Sequence, residues 1–296
     1  MNSRLKSYLK LFLKIAFTVA ALWLVYTKVD LQALLVFWKK ANVWWLVVAF
    51  LVFVVSQVIS SFRLLNFFKN IRLNLTLGYN VRLYLLGMFY NLFLPGGIGG
   101  DGYKILKVKR EHNRPAKEVF SAVFFDRLAG LWALGGLLVL MGLTLPVFRE
   151  YALYATIAFF AGTAAYYWVL RRFFRDHSAR FIRTHLLALG VQGCQLVAVI
   201  FILRALGVTD EYLPYMFSFL VSSLATLFPF SVGGLGAREV AIVWVAGQLG
   251  LNEALCVSIS LCFYCLSAIL SLSAAIFLFQ PEKKTAATET PVVTEP

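Results

Sequence analysis

Asn91-Leu92-Phe93-Leu94-Pro95-Gly96-Gly97-Ile98-Gly99-Gly100-Asp101 is an apolar run that ends in a proline and a glycine cluster. A variant returns 137 residues later as Phe228-Pro229-Phe230-Ser231-Val232-Gly233-Gly234-Leu235-Gly236-Ala237-Arg238, followed by Glu239. Proline removes a helical hydrogen bond and glycine weakens a helix further, so each run predicts a helix broken at its end, with Pro95 and Pro229 as hinges. Helices broken at matching places in two halves of a chain point to a substrate site in a membrane transporter. The pair predicts a duplicated membrane protein that moves something.

Composition agrees with a membrane setting. Of 296 residues, 60% are hydrophobic and 14% charged, with mean hydropathy +0.78; a soluble domain lies nearer half apolar and a quarter charged. Lys and Arg outnumber Asp and Glu by 28 to 14, a net charge of +14. In a membrane protein such an excess anchors cytoplasmic loops against anionic lipid, so no nucleic-acid partner is expected. Arg4, Lys6, Lys10 and Lys14 precede an apolar stretch that continues through Trp23 and Tyr26 without a cleavage site, which predicts an uncleaved first helix. Cys194, Cys256, Cys262 and Cys265 all lie in apolar runs and are expected to be small core residues, not a disulfide framework or metal site.

A bilayer core requires about 20 apolar residues in a helix. Uncharged runs predict spans at 11–27, 42–62, 151–170, 184–203 and 254–281, and a sixth at 119–148 that carries Asp126 and Arg127 inside it. Two further runs, 83–100 and 212–237, end in the glycine clusters. If both dip into the membrane and return to the same side, the cytoplasm receives 21 Lys and Arg and the outside 6, with Arg127 left in the membrane; a true crossing would send two strongly basic loops outward, against the positive-inside rule. Each half then reads span, span, dipping hairpin, span, with matching segments about 130 to 142 residues apart. Three crossings per half invert the second copy relative to the first. The expected architecture is thus all-α, with six spans and two re-entrant segments: one membrane domain over 1–281, repeat 1 about 8–148 and repeat 2 about 149–281. Residues 282–296, rich in Thr and Pro, predict a disordered cytoplasmic tail, and both termini fall in the cytoplasm.

The glycines Gly96, Gly97, Gly99, Gly100, Gly233, Gly234 and Gly236 permit a sharp turn and close backbone approach. The spacing Gly97-x-Gly99-x-x-Gly102 matches a dinucleotide fingerprint but follows a membrane run instead of a strand, so no such cofactor is expected. After each cluster a returning helix opens with Asp101 or with Arg238-Glu239; a helix N-terminus with free amides suits a phosphate or carboxylate, and Arg238 adds a full charge. Lys104 and Lys107 share a face and can guide an anionic headgroup, although ordinary loop anchoring is the slightly favoured reading. Asp126 and Arg127 are ionisable residues within a span, where a functional role or a bundle-locking ion pair is the choice. Adjacent helical residues point about 100° apart, so their partners lie elsewhere, Asp101 with Arg127 or Asp126 with Arg238 being candidates. Gln57, Asn80, Asn91, Gln192 and Gln195 suit interhelical hydrogen bonds. His112, His177 and His185 are scattered, and no nucleophile, carboxylate or metal-ligand pattern predicts catalysis, a cofactor or a metal.

Asn91-Leu-Phe-Leu-Pro-Gly-Gly-Ile-Gly-Gly-Asp-Gly-Tyr-Lys104, Phe125-Asp-Arg-Leu128 and Phe228-Pro-Phe-Ser-Val-Gly-Gly-Leu-Gly-Ala-Arg-Glu239 resemble the lysylphosphatidylglycerol synthase transmembrane-region family, the flippase-like domain of the multiple peptide resistance factor. The resemblance covers about residues 5 to 280. It implies a bacterial or archaeal cytoplasmic-membrane protein that moves lipids or lipid-linked intermediates, with motif residues at Asn91, Pro95, Gly96, Gly97, Gly99, Gly100, Asp101, Asp126, Arg127, Pro229, Gly233, Gly234, Gly236, Arg238 and Glu239. Full-length synthases carry a soluble aminoacyl-transferase domain after this region; the chain runs only about 15 residues beyond its last span and is expected not to make the lysyl-lipid. The expected partner is a membrane lipid with an anionic or polyprenyl-phosphate headgroup. The alternatives are a subunit presenting lipid to a separate glycosyl- or aminoacyl-transferase, a lipid-phosphate enzyme, and a small-solute transporter.

Overall fold

The computed structural model describes Trp23 and residues 31–93, 99–226 and 236–279. Along them run α1 (Leu31–Lys40), α2 (Val43–Asn70), α3 (Leu77–Phe93), α4 (Gly99–His112), α5 (Ala116–Gly142), a 3-10 turn at Pro146–Phe148, α6 (Arg149–Phe173), the short α7 (Arg175–Ser178), α8 (Phe181–Ala205), α9 (Tyr212–Ala225), α10 (Ala237–Leu249), α11 (Glu253–Ser273) and the short α12 (Ile276–Phe279). No strand occurs among the described residues.

Five stretches are long and apolar enough to cross a bilayer: Val43–Asn70, Ala116–Gly142, Pro146–Phe173, Phe181–Ala205 and Glu253–Phe279. They coincide with five of the six expected spans. The sixth, at 11–27, the tail at 282–296, Pro95, Gly96, Gly97, Pro229, Gly233 and Gly234 lie outside the described residues.

Helix α2 illustrates how membrane sequences fold inside out. Asn42 caps it, its side-chain oxygen accepting the Trp44 N–H at 3.0 Å. Leu51, Val55, Val58 and Phe62 recur at helical spacing and are exposed, whereas Ser56, Ser60, Ser61 and Arg63 are buried. Lipid is as apolar as leucine, so the outer face carries the large hydrophobic residues, and small or polar side chains allow close helix contact within.

Helices α2 and α8 form the longest interface of the bundle. They run antiparallel: the Asn42 N–H donates to the Ala205 carbonyl at 2.9 Å, Trp45 stacks on Phe201 at 5.5 Å, and Arg180 Nη1 donates to Asn70 Oδ1 at 2.9 Å. Around this axis the helix neighbours repeat. Helix α2 touches α3 as α8 touches α9; α3 packs on α4 as α9 on α10; α4 meets α5 as α10 meets α11. Across the halves, α3 touches α11 and α9 touches α5.

Two details depart from the sequence expectation. Arg63, taken as the loop residue that ends the second span, is buried at 6% exposure inside α2, which continues to Asn70. Cys265 is exposed and Cys194 half-buried; only Cys256 and Cys262 are core residues.

Candidate hairpin site

Helices α3 and α4 form an antiparallel hairpin. Near its turn the Gly100 N–H donates to Asn91 Oδ1 at 2.8 Å, and at its open end the Tyr79 hydroxyl donates to Glu111 Oε2 at 2.5 Å. The two backbones touch: a Cβ on Gly100 would stand 1.9 Å from the Gly87 carbonyl oxygen, so only glycine fits. Asn91 thus fastens the start of α4, serving the hairpin itself.

The returning helix carries a cluster of charges. Asp101 is ion-paired with Arg127 of α5 and lies 3.4 Å from Lys104 Nζ. Lys104 is itself buried, its ammonium 4.4 Å from the Tyr84 ring centroid. Beside them Asp126 receives two hydrogen bonds from Arg63, Nε to Oδ1 at 2.8 Å and Nη2 to Oδ2 at 3.2 Å. Such a fork fixes both planes, and the pair ties α2 to α5. Three buried or half-buried cations therefore face two carboxylates. Lys107 points elsewhere and pairs with Glu111 at 3.3 Å.

Helices α9 and α10 form the second hairpin, Arg238 at the start of α10 reaching back to Phe219 in the middle of α9. Gly236 has φ +86°, a backbone conformation that side chains rarely adopt, and its N–H donates to Glu239 Oε2 at 2.7 Å. Glu239 is 1% exposed, and its other oxygen accepts the Ser260 hydroxyl of α11 at 2.8 Å. Its carboxylate binds the first turn of α10, where backbone N–H groups lack helical partners. The Arg238 guanidinium lies 4.6 Å from the Phe219 ring centroid and 5.1 Å from that of Phe263. Its Nε and Nη2 are buried and have no hydrogen-bond partner among the described residues.

The two hairpins approach a common wall. Leu85 and Met88 of α3 pack against the apolar cluster that contains Phe219 and Phe263. Of the two ion pairs suggested by sequence, Asp101 with Arg127 is present; Asp126 with Arg238 is not, since Arg63 takes the carboxylate. Gly99, Gly100, Asp101, Lys104, Asp126, Arg127, Gly236, Arg238 and Glu239 all belong to the two hairpins or the helices beside them. Asn80 bonds the Ser61 carbonyl at 2.6 Å and Gln192 the Gly130 carbonyl at 3.5 Å, while Gln57 bonds its neighbour Ser56. Sequence reasoning did not single out Arg63, Tyr84, Phe219, Ser260 or Phe263. Arg63 had a signal, a charge seven residues before the true helix end; the others are ordinary residues of apolar runs. Among the described residues no three His, Cys, Asp or Glu side chains gather closely enough to hold a metal.

Long apolar helices, polar inner faces and buried charges at two hairpins define a multi-pass helical membrane protein. The family model described as lysylphosphatidylglycerol synthase TM region matches residues 11–275. The chain belongs to that family, which places it among membrane proteins concerned with lipids. No curated protein and no solved structure matches it.

Proposed function

We propose that this protein carries an anionic lipid, a phospholipid or a polyprenyl-phosphate-linked intermediate, between the leaflets of a prokaryotic cytoplasmic membrane, and performs no chemistry on it. The observation that carries this reading is Arg238, a half-buried arginine against two aromatic rings whose Nε and Nη2 are buried with no hydrogen-bond partner among the described residues. A buried cation is costly unless something neutralises it, and a phosphate does so through charge-assisted hydrogen bonds. Lys104 and Arg127 add a second cationic position at the other hairpin.

The pathway requires two hairpins that enter from opposite sides. Supporting this, α2 and α8 pack antiparallel, and each helix contact in the first half has a counterpart in the second, including the exchanged pair α3–α11 and α5–α9. A two-fold axis in the membrane plane would relate the halves in that way. The broken segments are re-entrant on this reading, and the basic loops and both termini are cytoplasmic.

The test is a liposome assay with a fluorescent anionic lipid whose outer-leaflet signal is quenched from outside. The protein is expected to expose inner-leaflet probe, and Arg238→Ala to slow that exposure about tenfold or more, with Arg238→Lys intermediate. Protein-containing liposomes that behave as protein-free ones overturn transport and favour a lipid-presenting subunit. A chemically altered lipid would make the protein an enzyme.

A further inference from the structure

Helix α6 lies at the edge of the bundle, touching α5 and α8. Only 6% of its membrane window is buried, against 28% to 39% in the other four spans. Between it, α8 and α2 lies a groove of about 1180 Å³, larger than the usual small-molecule pocket of about 300–1,000 Å³. Neither hairpin contributes a residue to its lining.

The groove has two chemically different ends. Helices α6 and α8 run antiparallel along it, Tyr167 meeting Phe181 at 4.9 Å. At that end are Ser178, Arg180 and Arg183, on a connection that holds five arginines and one aspartate between residues 171 and 183. Towards Phe160, Leu186, Ile59 and Gly190, roughly 14 Å along α8, the walls are apolar. Arg183 is exposed and makes no ion pair or hydrogen bond among the described residues; Arg180 spends one N–H on Asn70 and keeps the rest. Phe160, Ile182 and Leu186 are 65%, 73% and 61% exposed, so the groove opens sideways.

We propose that this groove binds an anionic phospholipid of the adjacent leaflet, its phosphate on Arg183 and Arg180 and an acyl chain along Leu186 towards Ile59 and Gly190. An apolar cleft within the hydrocarbon layer is filled by chains and not by water, because water finds too few polar partners there. Basic pockets between transmembrane helices on the side with most Lys and Arg select anionic headgroups. The polar end and the apolar depth follow the same order as the two parts of such a lipid. The bound lipid fills the gap left between α6 and the α2–α8 pair.

Native mass spectrometry of the protein released from nanodiscs of equal phosphatidylglycerol and phosphatidylcholine tests this. One phosphatidylglycerol per chain is expected to survive activation that strips phosphatidylcholine. Arg180→Gln with Arg183→Gln should weaken that retention about 30-fold, as two arginines near the surface contribute about fivefold each. Gly190→Phe attacks the other end: a Cβ there meets nothing nearer than Ile59 Cγ2 at 3.8 Å, so the backbone accepts it while the ring fills the depth. It should release the lipid with both arginines intact. Loss in both variants, with melting temperature retained, places the lipid in this groove and not at the hairpins. Equal retention of the two phospholipids overturns the proposal, as does phosphatidylglycerol that survives Gly190→Phe, or a lipid-free dimer that Gly190→Phe dissociates.

Discussion

Asp101 of α4 and Arg238 of α10 hold corresponding positions 137 residues apart, and so do Asp126 of α5 and Phe263 of α11. The hairpins share a backbone plan and differ in electrostatics. In the first, Asp101 and Asp126 are met by Arg127 and Arg63 from the neighbouring spans, so the charges lock helices together. In the second, the carboxylate of Glu239 holds backbone and Ser260, and the arginine beside it lies against rings where the first half has an aspartate. One hairpin is held by ion pairs; the other is held by a cap, with its arginine set against two rings. On the proposed reading, the first supports the site and the second binds.

The largest expected effect falls on the ion-paired half. Arg63→Ala leaves Asp126 buried and uncompensated and should destabilise the protein by about 3–5 kcal/mol in a thermal melt in detergent. The double replacement Arg63→Met with Asp126→Leu should recover most of that loss. If Arg63→Ala melts as the wild type does, the pair is no lock and the contrast between hairpins fails.

Gly100→Ala comes next. Its methyl group meets the Gly87 carbonyl at a distance backbone cannot yield without opening the hairpin, a cost of about 3 kcal/mol. Gly236→Ala should cost less, about 2 kcal/mol, because there the cause is a positive φ. Comparing the two melts separates a hairpin closed by contact from one closed by conformation; a reversed order would contradict the assignment.

The smallest effect is Ser260→Ala, which removes one hydrogen bond from Glu239 and should cost about 1 kcal/mol. Glu239→Ala removes the cap as well and should cost about 1 kcal/mol more than Ser260→Ala. If the two melts coincide, Glu239 does not cap α10.

Much of the hairpin site was legible before any coordinates. The proline and glycine clusters marked both turns, and the ionisable residues within apolar runs marked Asp126 and Arg127. Asp101 with Arg127 was one of two pairings that the positions allowed. The other failed because a charge at Arg63 was read as the end of a span, whereas α2 runs about two turns beyond it and Arg63 points inward to Asp126. Lys104 and Lys107, alike in sequence, separate in the fold: Tyr84 of α3 receives the first, and Glu111, one turn along α4, pairs with the second. The aromatic walls around Arg238 had no distinguishing mark, since phenylalanine is common throughout this chain.

Apolar run length and helix-breaking residues act locally along the chain, so the sequence by itself determined an all-helical membrane protein with five of its spans and two interrupted segments. The neighbours of each charge were decided only in the tertiary structure. An ion pair depends on which helix faces act across a gap of a few ångströms, and the antiparallel packing of α2 on α8, with α5 beside both, brought Arg63 to Asp126 and left Arg238 between phenylalanines.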